Sequence, residues 1–183
     1  QSALRALLLL SMITEAFGFS YLVMLPVIAK NVLKVGPTGL GYLSGAGGIG
    51  ALFGTVIVAA LSDFKDKWKL LTLGTICAGV SILLFAISPW FAVSLILVGC
   101  IGFSLLTYDA TINTLLQTLS DDHMRGRVLG LYGMTWGFTP VGGFAVGAIA
   151  NIAGAPVAVG IGGLIILAYT LGVIARAKRN LVS

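Results

Sequence analysis

Apolar stretches of about twenty residues recur along the whole chain, separated by short clusters of charge, glycine and proline. The runs lack the two-residue alternation of a barrel strand, so they read as helices whose backbone groups are satisfied internally. Span one is predicted from Leu4 to Ala29, span two from Gly39 to Leu61, and span three from Leu70 to Ser88. Span four follows from Phe91 to Leu119, span five from Val128 to Ala150, and span six from Val157 to Ala175. At a rise of ~1.5 Å per residue, each reaches across a hydrocarbon core of ~30 Å. Ser88-Pro89-Trp90 and the stretch from Asn151 to Pro156 each stop one helix and start the next. No linker or low-complexity segment divides the chain, so residues 1–183 read as one all-α bundle of six transmembrane helices. The first run is not a signal peptide, because five more of the same character follow it. The chain opens on Gln1 rather than Met; the expectation is a fragment, or removal of something upstream.

Composition agrees. Of 183 residues 58% are hydrophobic and 9% charged, and mean hydropathy is +1.06. A soluble domain cannot be given a polar exterior from such a set. The net charge of +5 does not indicate nucleic acid, because the basic residues lie between the apolar runs rather than on one folded face. They are also unevenly shared between the two sides. Arg5, Lys65, Lys67, Lys69, Arg125, Arg127, Arg176, Lys178 and Arg179 fall on one side, and only Lys30 and Lys34 on the other. The positive-inside rule therefore puts both termini in the cytoplasm, as an even number of spans requires of a pair. Cys77 and Cys100 lie inside apolar runs without metal-ligand spacing, and are expected as buried thiols. No metal cluster, phosphate loop or paired nucleophile and base is present, so neither an enzyme nor a cofactor is expected.

Glycine is concentrated in spans two and five. Gly41 and Gly45, Gly50 and Gly54, and Gly143 and Gly147 are spaced four apart, which aligns small residues on one helix face. Lipid provides no hydrophobic drive between helices, so close backbone approach must hold them together. The two glycine-rich helices are each the middle member of a triplet, the arrangement of a 3+3 repeat.

The segment Gly36-Pro37-Thr38-Gly39-Leu40-Gly41-Tyr42-Leu43 leads into span two, which ends Leu61-Ser62-Asp63-Phe64-Lys65-Asp66-Lys67. Later comes Ser120-Asp121-Asp122-His123-Met124-Arg125-Gly126-Arg127-Val128, then Pro140-Val141-Gly142-Gly143. These segments resemble the C-terminal half, helices seven to twelve, of major facilitator superfamily exporters, in the branch of the enterobactin exporter and macrolide-efflux carriers. The resemblance covers essentially the whole chain, and Arg125-Gly126-Arg127-Val128 is its most specific part. It implies that spans one and four line a central cavity and that spans two and five meet the other half. It also implies a bacterial inner-membrane location and contact with lipid. The implied partners are a small-molecule substrate and either an N-terminal six-helix half or another membrane protein. Asp63 and Lys67, with Arg125 and Arg127, correspond to the cytoplasmic loop motif, although Ala59 and Phe64 depart from its glycine and basic positions. Asp63 and Arg125 would both look for partners in the missing half. Gly133, Gly137, Pro140, Gly142 and Gly143 resemble an antiporter-type glycine and proline pattern, and Pro140 also reads as a kink repaired by packing.

Two acids, Glu15 and Asp109, lie within spans. A charge at mid-bilayer costs at least ~2.5 to 3.5 kcal/mol, so each needs a partner or an aqueous path. Counted along their helices, both lie ~15 Å from the side carrying the termini. Asp109, Asn113 and Gln117 form one polar stripe, and Ser11, Glu15 and Gly18 a shorter one, which together predict an aqueous lining. The functional reading is that Glu15 or Asp109 exchanges a proton during transport. The structural alternative is that each is hydrogen-bonded between helices and only fixes packing. Asp121 or Asp122 is expected to cap span five, His123 to be a solvated loop residue, and Trp90, Tyr169 and Trp68 to lie near the membrane boundaries. The sequence thus points to a secondary active transporter that exports a small amphipathic compound by proton-coupled alternating access. The competing reading is a non-transporting half-carrier acting as a membrane scaffold subunit.

Overall fold

A computed structural model describes residues 2–61 and 66–179, with side chains described from Leu4 to Leu61 and from Asp66 to Ala175. Among the described residues the structure is all helical, and six helices are long and apolar enough to cross a membrane. They are Leu4–Asn31, Pro37–Ala60, Lys67–Ile87, Phe91–Leu119, Arg125–Ala153 and Ala155–Ala175, hereafter spans one to six. Each predicted span is present. Spans three and five start earlier than the apolar runs, because Lys67, Lys69, Arg125 and Arg127 take part in the first helical turns while their charged ends reach outward. Span two opens on Pro37, at a position where the missing N–H would have no helical partner anyway. Span five ends at Gly154, whose φ of 91° suits glycine and whose N–H donates to the Ala150 carbonyl at 2.9 Å.

Packing follows a repeat. Span two lies against span four, span three against spans four and six, and span one against spans five and six; outside this pattern, span five also meets span six. Exchanging one with four, two with five and three with six converts the two–four contact into five–one, and three–four into six–one. The three–six contact maps onto itself. This is the relation expected of the 3+3 repeat of half a major facilitator fold.

Glycines set the closest approaches, though not all those expected to do so. A Cβ at Gly50 or Gly54 would strike the main-chain carbonyls of Gly99 or Phe103 on span four, and one at Gly102 would strike Gly47. Gly79 and Gly163 make a similar reciprocal contact between spans three and six, with a Cβ at Gly163 falling 3.0 Å from the Gly79 carbonyl oxygen. Gly143 faces Val23, whose methyl would lie 3.2 Å from an added Cβ. Gly41, Gly45 and Gly147, expected as packing glycines, have no atom near an added Cβ. Gly41 and Gly45 face outward and Gly147 opens onto a groove between spans one and five, since spacing fixes which residues share a face but not where that face points.

Buried side chains form two apolar cores. One includes Tyr21, Ile28, Ile82, Phe85, Ile101 and Ile166, on the side away from the termini. The other includes Leu7, Leu10, Leu71, Ile112, Leu116 and Val128, on the side carrying them. Trp68 and Tyr169 pack against the second core, whereas Trp90 lies exposed in its turn. Spans two and five have only 17% and 11% of their most apolar windows buried, against 33 to 56% for the others, so they present most of their surface outward. Cys77 and Cys100, expected to be buried, are exposed on the outside of the bundle. An apolar run in a membrane protein satisfies lipid as readily as protein, so hydropathy does not separate the two.

Candidate functional site: a polar cluster between the two cores

Span one is not a continuous α-helix. Ser2–Ile13 is α-helical, Thr14–Gly18 forms a π turn, and Tyr21–Asn31 resumes the α-helix. Several local features favour the break. Gly18 brings no side chain, the Ser20 hydroxyl donates to the Phe17 carbonyl at 2.7 Å, and Pro26 lacks a backbone donor in the first turns beyond it. Neighbouring helices grip the wide turn. A Cβ at Gly142 of span five would strike the Ala16 carbonyl, and one at Gly162 of span six would lie 3.1 Å from the Phe17 carbonyl oxygen. Glu15 projects from this turn and is 4% exposed. Single π turns inside α-helices are rare and mark functional positions more often than chance.

Span five is interrupted at nearly the same depth. Its helical pieces, Arg125–Thr135 and Phe138–Ala153, are joined through Trp136 and Gly137. There the ladder tightens to bonds three residues apart, Gly137 N–H to Met134 carbonyl at 3.1 Å and Thr139 N–H to Trp136 carbonyl at 3.2 Å. Pro140 follows and supplies no donor. Tyr132 lies before this break and Thr139 after it.

The two acids come together with these residues. The Thr139 hydroxyl donates to Glu15 Oε2 at 3.2 Å. The Tyr132 hydroxyl donates to Asp109 Oδ1 on span four. Both acids thus accept from hydroxyls of span five, Asp109 from Tyr132 and Glu15 from Thr139. Tyr108 is fully buried beside them, and its hydroxyl and that of Thr14 are neighbours without an aligned hydrogen bond. Among the described residues every Lys and Arg lies at a span end or in a connection, so no basic side chain neutralises the pair.

The other sequence-predicted residues are distributed differently. Ser11 is buried, and its hydroxyl donates to the Leu8 carbonyl of its own helix at 2.7 Å, so it does not line a cavity. The stripe on span four divides: Asp109 is held by Tyr132, while Gln117 Nε2 donates to Asn113 Oδ1 at 2.5 Å. Asn113 is half-buried and Gln117 exposed near the helix end. Neither Asp121 nor Asp122 caps span five through its side chain. The Asp121 main-chain carbonyl accepts from Met124 and Arg125, and the Asp122 carboxylate pairs with Arg125 at 2.9 Å. Arg125 Nε also donates to the Gln117 carbonyl at 3.2 Å, so Arg125 is partnered within this half. Arg127 and His123 are exposed, Lys67 begins span three, and Asp63 lies outside the described residues. Pro140 does not pack internally but lines an apolar groove of about 790 Å³ between spans one and five, with Val23, Val27, Gly143, Phe144 and Gly147.

Thr14, Tyr108, Tyr132 and Thr139 were not singled out from the sequence. Tyr132, Thr135 and Thr139 recur at three- and four-residue spacing, a polar seam along an otherwise apolar helix that marks the face turned toward the acids.

A half-bundle of this topology, with two intramembrane acids held by one neighbouring span, defines a carrier-type membrane protein. Residues 1–181 match the family described as transmembrane secretion effector, and the chain belongs to that major facilitator family, one of transporters rather than enzymes. It is also 30% identical over 119 residues to a multidrug efflux pump, Tap, of Mycolicibacterium fortuitum. That match covers 64% of this chain and 29% of the relative's length.

Proposed function

We propose that this chain is the C-terminal half of a secondary active exporter that couples outward movement of a small amphipathic compound to proton flow by alternating access. The observation that carries the reading is the pair Glu15 and Asp109, the first buried and the second half-buried, both held by hydroxyls of span five and without a basic neighbour among the described residues. Acids held within spans without a basic partner are costly as charges and are found on proton and ion pathways, which supports a part in proton exchange. The apolar groove beside Pro140 and Phe144 suits the hydrophobic part of a compound of drug size. In this reading the protein lies in the bacterial inner membrane with both termini cytoplasmic. Its outward surfaces on spans two and five face an N-terminal six-helix half. A scaffold role would need the acids only as hydrogen-bond acceptors between helices, with no dependence of function on their charge.

The test is transport by the full-length protein in proteoliposomes. Glu15→Gln and Asp109→Asn should each abolish or uncouple proton-driven export while leaving the protein in the membrane. Efflux with unchanged pH dependence and unchanged response to the proton gradient in both variants would remove the proton role.

A further inference from the structure

We infer that Tyr132 and Thr139 are positioning residues, through which the charge state of Asp109 and Glu15 acts on the two pieces of span five. The inference rests on the proton exchange proposed above and adds the element that responds to it. The acids belong to spans four and one, yet the hydrogen-bond donors reaching them are both on span five. Those donors stand on opposite sides of the interruption at Trp136 and Gly137. Counted from Arg125, Tyr132 lies ~10 Å and Thr139 ~21 Å along the helix, so they bracket the depth of the acids at ~15 Å.

Chemistry makes these bonds sensitive to a proton. A carboxylate only accepts, and a hydroxyl donating to it makes a charge-assisted bond. When a proton adds to the carboxylate oxygen, the charge assistance is lost and the acid becomes a donor itself. The partner hydroxyl is then left with a weaker, neutral bond to the remaining carbonyl oxygen, or turns to accept from the new O–H. No other covalent bond changes, and the proton leaves by the reverse step. The titratable groups around the acids are Tyr108 on span four, Tyr132 on span five and each acid toward the other. Span six contributes the close backbone approach of Gly162 to the π turn rather than a charge. Each piece of span five is thus tied to a different acid, and the weakened ladder between them lets the pieces move separately.

The experiment compares pH profiles of export by the full-length protein, normalised to the amount in the membrane. Tyr132→Phe and Thr139→Val should each displace the pH of half-maximal transport by roughly one unit, because the charge-assisted bond that distinguishes the two charge states is gone. Thr139→Ser, which keeps the hydroxyl, should restore the original profile. On an Asp109→Asn background, Tyr132→Phe should add no further shift, whereas a purely structural loss would add its own effect. Should Thr139→Val not reach the membrane, Thr139→Ala takes its place. Unmoved profiles in Tyr132→Phe and the Thr139 variant, with Glu15→Gln or Asp109→Asn still altering the profile, would overturn the positioning role alone. Unmoved profiles in the acid variants as well would overturn the proton reading beneath it.

Discussion

The crossing of spans two and four gives a prediction that can be worked from the structure. Gly50 faces the Gly99 carbonyl so closely that an alanine methyl there would overlap it, and Gly54 faces Phe103 and the Thr107 hydroxyl, the latter 3.0 Å from an added Cβ. Gly50→Ala therefore cannot be absorbed by rotating a side chain, because the obstructing atoms are main chain. The helices must part by about an ångström. A gap of that size forfeits a quarter to a half of each dispersion contact of ~0.1 to 0.2 kcal/mol along the seam. Adding the strain of overpacking gives a cost of about 1 to 3 kcal/mol. Gly45→Ala is the control on the same helix. Nothing lies within 4 Å of its added Cβ, and it should gain up to about 1 kcal/mol in helix propensity. Unfolding in mixed micelles, followed by helical circular dichroism against increasing denaturing detergent, should place the two variants on opposite sides of the parent. Gly102→Ala strikes Gly47 across the same seam, so with Gly50→Ala its cost should be less than additive, the helices having already parted. Equal midpoints for Gly50→Ala and Gly45→Ala would refute the close approach.

Two further outcomes follow from exposure and from charge. Cys77 and Cys100 face outward from spans three and four, so both should react with a lipid-soluble maleimide and resist a charged, impermeant one; protection of both from the lipid-soluble reagent would contradict their placement. At the connection before span three, the Lys69 ammonium donates to the exposed Asp66 carboxylate at 2.6 Å and lowers the pKa of that acid. Because the folded value is lowered, its small contribution to stability is present above the ordinary carboxylate range and fades as pH falls through the lowered value. Lys69→Gln should return the Asp66 titration to the ordinary range in a carboxyl-resolved NMR experiment, and an unmoved titration would refute the pairing.

The number and order of the spans were legible because charge and turn residues interrupt the apolar runs so regularly. Span four is found with the predicted bounds, Phe91 to Leu119, since Pro89 and Ser120 punctuate both ends. Facing was not legible. Gly41 and Gly45 have the same spacing as Gly50 and Gly54, yet only the latter pair meets a neighbour. The equal depth of Glu15 and Asp109 followed from counting residues, but the donors that reach them did not. Tyr132 and Thr139 look like scattered polar residues until span five is seen beside both acids. The wide turn at Thr14–Gly18 was not read from the sequence either, although Gly18, Ser20 and Pro26 favour it locally. It is stabilised from outside by Gly142 and Gly162, which lie more than a hundred residues away in sequence.

That wide turn sets the angular phase of everything beyond it. An α-helix advances ~100° and ~1.5 Å with each residue, and the Thr14–Gly18 segment carries one residue of slack relative to a regular ladder. Drawing that slack into the α-helix would swivel the stretch from Tyr21 to Asn31 by about a quarter turn against the stretch before Ile13. A single register step, with no bending of the rod, would re-aim every side chain on the outer half of span one.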